Sequence, residues 1–290
     1  MSVDLHIHSN CSDGKMTVEE IFKEASLRRI GVLSITDHDS LDCQKYAMPL
    51  ADKYGIKYIS GLELNVSFAH PGYNDSKAVS LDFLAYQYDI NYQPLIEKLK
   101  SLREFRKKRA EMILEKINIE FKIENIPEFT FKDMQEIEDS VDGAFGRPHI
   151  ADYMVKKGIV PNRQKAFDKY LIKCNVPKMP LSLEETSELI KGAGGKLILA
   201  HPNNPRGTSL VGLTGDINKQ QQIIMESMIR YIDGIECWHS SHDKKTTDLY
   251  LSFAIDHDMM VTGGSDCHQQ PVIMGNLNIP YYVVEQFGIS

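Results

Sequence analysis

The chain lacks the marks of several protein classes. No apolar run reaches the roughly 18 residues that a membrane-spanning helix needs. The opening stretch MSVDLHIHSN has neither the basic start nor the apolar centre of a secretory leader. The five cysteines are odd in number and form no CxxC pair, which argues against a disulfide framework and suits a reducing cytoplasm. Positive charge is in deficit: 33 basic against 40 acidic side chains give a formal net charge of −7. An extended nucleic-acid-binding face is therefore not expected, although this balance is compatible with a local basic pocket for a small anion. There is no GxSxG and no P-loop, no repeat of solenoid period and no low-complexity tract. What is left is a 290-residue chain, 42% hydrophobic and 25% charged, of ordinary globular composition.

The first third alternates short apolar runs with helical stretches. VDLHIH reads as a strand, and Thr17 opens a helix with Glu20 completing a capping box. Gly31 is expected to close that helix before the strand VLSIT. A second helix is expected from Ser40 toward Tyr54, distorted at Pro49 and ended by Gly55. IKYISGLEL and AVSLDFLAY read as the third and fourth strands. From Gln93 to Gly194 the pattern turns helical, beginning with the basic run EKLKSLREFRKKRAEMILEKI. Alternation resumes with the strands KLILA, GIECW and MMVTG and the helices between them. This order predicts an α/β fold with a parallel sheet or barrel from residues 1–92 and 195–290, interrupted by a helical insertion, 93–194.

The chemically active side chains fall at the ends of the predicted strands. His6 and His8 end the first, and the two-residue period of a strand points both rings to one side. His38 follows the second, Glu63 lies in the third, Asp82 in the fourth, and His201 ends KLILA. GIECW carries Glu236 and leads to His239 and His242, while MMVTG leads to Asp266 and His268. Asp13 sits in the turn-forming loop SNCSDG just after the first pair. A carboxylate inside an apolar strand, as at Glu63, needs a partner or a metal. The set His6, His8, Asp13, His38, Glu63, Asp82, His201, Asp266 and His268 offers more donors than one ion takes, which points to two or three divalent metals such as Mn, Fe or Zn.

Taken together, DLHIHSNCSDG, SITDHD, GLE, AHP and GGSDCH resemble the polymerase and histidinol phosphatase (PHP) superfamily. The resemblance implies a distorted seven-stranded (β/α) barrel and metal-assisted hydrolysis of phosphate esters, the cations polarising phosphoryl oxygens and acidifying the attacking water. His6, His8, Glu63 and Asp266 match the residues that hold one metal, Glu63 and His201 those of a second, and Asp13, His38 and His268 those of a third. Asp82 stands where relatives carry His, so it is expected to be an oxygen ligand; His70, upstream in HPGYND, reads better as a loop residue.

The stretch GRPHIADYMVKKG looks like that of the stand-alone phosphoesterases of this superfamily, some of which act on nucleoside 3′,5′-bisphosphates or on the 5′ end of short RNA or DNA. A small phosphorylated substrate, a nucleotide, is the implied partner. Arg147 and His149, in GRPH with Pro148 in the first helical turn, are expected to bind substrate phosphate. His242 is expected to bind phosphate or protonate the leaving group, with His239 as its rival. His6, His8, Glu63, Asp266 and His242 form the expected catalytic set. His257 is expected to contact a helix C-terminus and the REFRKKRAE face to be solvated. Three alternatives stay open: histidinol-phosphatase-like activity, amidohydrolase-like activity, and a metal-binding accessory domain without turnover.

Overall fold

In the computed structural model, which describes residues 2–140, 146–269 and 271–289, the strands form two sheets. The first has the parallel order β1 (Ser2–Ile7), β2 (Ile30–Ile35) and β3 (Lys57–Tyr58), with α1 (Val18–Leu27) and α2 (Gln44–Tyr54) as crossovers. The second runs β4 (Gly61–Phe68), β5 (Val79–Tyr86), β6 (Lys196–Leu199), β7 (Gly234–His239) and β8 (Met260–Gly264). The capping box at Thr17 and Glu20 forms as expected. Gly31 does not close α1: the helix ends at Leu27, Arg29 turns the chain at φ 58°, and Gly31 is already inside β2. α2 starts at Gln44 rather than Ser40 and continues past Pro49 to Gly55, whose φ of 64° makes a left-handed stop.

The expected parallel sheet holds only in part. β5 runs antiparallel to both β4 and β6. The 69–78 connection is too short and too irregular for the helical crossover that a parallel neighbour requires. The strand expected over IKYISGLEL splits at Ile59–Ser60, and this break interrupts the ladder between the two sheets. A closed seven-stranded barrel is therefore not what the described strands form. The sheets touch through isolated bridges, Ile7 with Cys267 and His38 with Glu63. Both bridges lie where the predicted ligands are. Asp266 N–H donates to His6 O (2.8 Å), and Asp39 N–H to Glu63 O (2.9 Å).

The helical segment between β5 and β6 contains α3 (Gln93–Glu124), α4 (Phe131–Glu138), α5 (Arg147–Lys156), α6 (Arg163–Ala166) and α7 (Leu183–Gly192); its residues 141–145 lie outside the described residues. α3 has 32 residues and is therefore about 48 Å long. Its first turns bury Leu95, Leu99 and Leu102 in the main core, alongside Leu183 and Ile190 of α7. Its later turns bury Ile113, Ile117 and Phe121 in a separate core with Ile150, Met154 and Tyr170. The segment thus has its own apolar centre, tied to the sheets by both of its ends. The remaining helices are α8 (Ile217–Ser227), α9 (Lys244–Asp256) and α10 (Tyr282–Glu285). Among the described residues no helix is long and apolar enough to cross a membrane. All five cysteines are buried and stand outside any disulfide.

Candidate metal centre

The strand ends bring all nine predicted ligands into one cluster. His6 Nε2 and His8 Nε2 lie 3.2 Å apart, as the period-two spacing requires. Glu63 Oε2 is 3.4 Å from His6 Nε2, 3.1 Å from His8 Nε2 and 3.2 Å from His38 Nδ1. Asp266 Oδ1 is 3.3 Å from His6 Nε2 and 3.2 Å from His8 Nε2. On one side, Asp13 Oδ1 lies 3.3 Å from His268 Nε2 and 3.7 Å from His8 Nδ1. On the other, His201 Nε2 lies 3.2 Å from Glu63 Oε1 and 4.0 Å from Asp82 Oδ2. Sets of donors close enough to share an ion are His8, Asp13, His38 and His268; His6, His8 and Glu63; Glu63, Asp82 and His201; and His6, His239 and Asp266.

This donor set fits divalent metals. Imidazole nitrogens and carboxylate oxygens are mixed, as zinc, iron and manganese accept. His8 Nδ1, Asp13 Oδ1, His201 Nδ1 and His239 Nε2 are buried without a hydrogen-bond partner among the described residues. Buried polar atoms are almost always partnered, and an ion is one of the few explanations for a concentration of exceptions. The charges are strongly coupled. Burial opposes a charge on His8, but Asp266, Glu63 and Asp13 outweigh it and raise its pKa to about 10. His201 is raised to about 9, against burial, chiefly by Glu63. Burial also opposes charge on Glu63 and Asp266, yet the surrounding histidines hold both well below the usual carboxylate range. Asp82 goes the other way: burial and then the charge of Glu63 push it up.

A second layer of buried carboxylates holds the cluster in place. Glu236 accepts from His6 Nδ1 (2.9 Å) and from the His201 backbone N–H (2.8 Å), so His6 presents Nε2 to the cluster. Asp37 accepts from Ser9 N–H, Ser9 Oγ and Ser12 Oγ at 2.7, 2.6 and 2.6 Å, which folds the SNCSDG loop back toward His8. Gly14 is required there, because a Cβ would fall 2.2 Å from His8 O. Asp4 accepts from Ser265 and Gly275 N–H, each at 2.9 Å, and so anchors the loop carrying Asp266. Gly264 lets β8 approach β1: a Cβ would lie 2.2 Å from His6 N. Asp266 (φ 56°) and His201 (φ 26°) adopt left-handed backbone, the kind of strain that concentrates at functional sites.

Of the two rivals, it is His239 whose ring lies against the cluster. His239 is buried, with Nε2 3.3 Å from Asp266 Oδ2. A bulge between Glu236 and Trp238 explains this: the extra residue breaks strand alternation, so Glu236 and His239 both end up buried at the centre. His242 instead has both ring nitrogens occupied by backbone. Nδ1–H donates to Cys237 O (3.0 Å), and Nε2 accepts from Asn203 N–H (3.3 Å). Burial pushes its pKa down to about 4, so near neutral pH it is neither charged nor free to donate. In this geometry both ring nitrogens of His242 are taken up by backbone groups rather than free for the catalytic and phosphate-binding roles expected of it. His70 pairs with Glu226 (3.3 Å), away from the cluster. His257 caps α9 and packs on Phe253.

Above the cluster is a cleft of about 240 Å³. Asp13, His38 and Asp82 line it together with Arg106, Arg109, Arg147, His149 and Lys178. Arg109 donates to Val176 O (2.5 Å) and Asn175 Oδ1 (2.8 Å); burial, with Arg147 and Arg106 nearby, lowers its pKa to about 10. Arg147 donates weakly to Leu171 O (3.4 Å) and lies over the Phe167 ring. Neither Arg109 nor Arg147 has a carboxylate partner among the described residues. Arg106 differs, being ion-paired with Asp39 beside His38. His149 Nδ1 accepts from Gly146 N–H (3.1 Å), and burial lowers its pKa.

A family model for the PHP domain matches residues 4–161. The chain belongs to the PHP family. It is 29% identical over 284 residues to a 3′,5′-nucleoside bisphosphate phosphatase of Chromobacterium violaceum, covering 92% of this chain and 87% of that protein. It is 26% identical over 272 residues to a 5′-3′ exoribonuclease of Haemophilus influenzae, covering 91% and 89%. A solved structure from Bifidobacterium adolescentis, described as a metal-dependent phosphoesterase, superposes with a TM-score of 0.78 at 26% identity, covering 98% of this chain and 94% of that one.

Proposed function

We propose that the chain is a metal-dependent phosphoesterase whose substrate is a nucleotide bearing two phosphates, in the first instance a nucleoside 3′,5′-bisphosphate. The observation that carries this reading is the cleft, where two guanidiniums without carboxylate partners among the described residues, Arg109 and Arg147, line the same space as the clustered imidazoles and carboxylates. One phosphate sits on the floor and the other on the guanidiniums. In this reading the two bridged sheets are the distorted PHP barrel, and the helical segment 93–194 is a cap over its mouth.

His6, His8, Glu63 and Asp266 would hold one divalent ion, with His239 adding to that set. Asp13, His38 and His268 would hold a second with His8, and Glu63, Asp82 and His201 a third. Mn, Fe or Zn held there would supply Lewis-acid polarisation of phosphoryl oxygens and an acidified water. The residues of this chain position and neutralise. Glu236 fixes the His6 ring, Asp37 and Asp4 fix the loops that carry Asp13 and Asp266, and Arg147 and Arg109 neutralise the remote phosphate. Gripping that remote group holds the scissile phosphate in place for attack.

The test is hydrolysis of a nucleoside 3′,5′-bisphosphate and of an aryl phosphate with added Mn²⁺, in the wild type and in Arg147→Ala. The bisphosphate should be hydrolysed and the reaction abolished by chelation. Arg147→Ala should lower kcat/KM on the bisphosphate by roughly ten- to a hundredfold, the worth of a charge-assisted contact, and much less on the aryl phosphate. Equal losses on both substrates contradict the two-phosphate reading.

A further inference from the structure

The helical segment touches the metal centre at a point apart from Arg109 and Arg147. The chain between β2 and α2 carries His38, and the next residue, Asp39, is 5% exposed. Asp39 helps join the two sheets: its N–H donates to Glu63 O (2.9 Å), and Glu63 N–H donates to Asp37 O (3.2 Å). His38 lies between these two bonds, with Nδ1 3.2 Å from Glu63 Oε2 and Nε2 4.0 Å from Asp13 Oδ2. The His38 ring is therefore placed only as well as residues 37 and 39 are. Asp39 has left-handed backbone (φ 48°), a conformation that persists where the surroundings fix it. Its Oδ2 is ion-paired with Arg106 of α3, and its Oδ1 is buried without a hydrogen-bond partner among the described residues. Arg106 is its one ion-pair partner among the described residues. One turn earlier, Arg103 pairs with Asp42 of the same loop (2.8 Å).

The two pairs differ in weight. Arg103 and Asp42 are both about half exposed, where an ion pair contributes little. Asp39 is out of water, and a buried carboxylate is costly unless a charge meets it. We infer that Arg106 is a positioning residue for the metal centre: through Asp39 it sets His38, and with it the ion site formed by His8, Asp13, His38 and His268. This rests on the reading of the cluster as a metal centre given above. Without Arg106 the charge of Asp39 is left alone, the loop turns toward water, and the His38 ring leaves the cluster. His6, His201, His239 and Asp266 are carried by other strands, so the loss falls on one ion site rather than on all. Arg106 also lines the cleft, so its rival role is direct contact with substrate. The two roles separate cleanly, because positioning acts on metal binding when no substrate is present.

The experiment is calorimetric titration with Mn²⁺ alone of protein stripped of metal by chelation, in the wild type, Arg106→Ala, Arg103→Ala and the double variant Arg106→Ala/Asp39→Asn. The wild type should bind more than one ion. Arg106→Ala should weaken one of them about tenfold, the lower end of what a group behind a metal ligand is worth, and leave another within about twofold. Adding Asp39→Asn should recover much of that loss, because it removes the uncompensated charge while Asn still tolerates left-handed backbone. Arg103→Ala should bind Mn²⁺ as the wild type does. The kinetic signature of Arg106→Ala is a loss of turnover at limiting Mn²⁺, equal on the bisphosphate and the aryl phosphate and recovered in excess Mn²⁺. Unchanged Mn²⁺ binding in Arg106→Ala overturns the inference and leaves the metal centre standing. So do equal weakening of every ion, the same weakening in Arg103→Ala, or no recovery in the double variant. Absence of Mn²⁺ binding by the wild type overturns the metal-centre reading itself.

Discussion

The strand ends and the helical segment handle charge in opposite ways. At the strand ends, carboxylates and imidazoles are crowded together, with Glu63, Asp13 and Asp266 each within reach of several rings. In the cleft above, Arg109 and Arg147 are held by backbone carbonyls, an amide oxygen and an aromatic ring, with no carboxylate partner among the described residues. A crowded mixed cluster with unpartnered donors suits a cation; unpaired guanidiniums suit an anion. In the function proposed above, the contrast separates the two tasks of a phosphoesterase, with chemistry at the strand ends and recognition on the helical segment.

Breaking the strand-end side of this contrast should have the largest effect. Asp266→Ala, or His8→Ala, removes a donor shared by several neighbours. If one ion's contribution is worth ~4 kcal/mol at the transition state, kcat should fall about a thousandfold. The fold should survive, as checked by circular dichroism, because the side chains removed lie at the ends of strands whose ladders are intact. Turnover close to wild type with metal in excess would break the assignment. Glu236→Gln probes the layer beneath and should cost about ten- to a hundredfold in metal affinity or kcat. Gln can still accept from His6, so tight metal binding with unchanged kcat would show that the negative charge of Glu236 is unimportant.

The smallest effect should come from His242. Its pKa of about 4 lies well below neutral, so it is already uncharged from about pH 5 upward and cannot shape the rate profile there. His242→Gln should keep kcat within about threefold of wild type, with the pH profile between 5 and 9 unmoved. His239→Gln should cost far more. The reverse ranking would show that His242, and not His239, works at the centre.

Much of the strand-end site was legible in the sequence, because its signals are local. Two histidines at strand period, a carboxylate in an apolar strand and a DxH after the last strand each state their geometry within a few residues. Non-local or irregular features were not legible. His239 reaches the centre through a bulge, and strand alternation gives no sign of a bulge. The antiparallel β5 and the break at Ile59–Ser60, which leave the strands as two sheets joined at isolated bridges, have no local signal either. In the basic run REFRKKRAE, Arg103 and Lys107 pair with acids at the surface, as a solvated face should. Arg106 and Arg109, one turn apart on the same helix, instead line the cleft. The partners that orient Arg109, Asn175 and the Val176 carbonyl, are more than sixty residues away in sequence.

Anomalous diffraction from crystals equilibrated with Mn²⁺ tests the central claim most directly. The account predicts two or three anomalous peaks around Glu63, with ligand atoms of His6, His8, Asp266, Asp13, His38, His268 and His201 at about 2.0–2.3 Å. An Asp82 oxygen should lie at the same distance from the ion nearest His201. Absence of any peak within about 4 Å of Glu63 at saturating Mn²⁺ would contradict it.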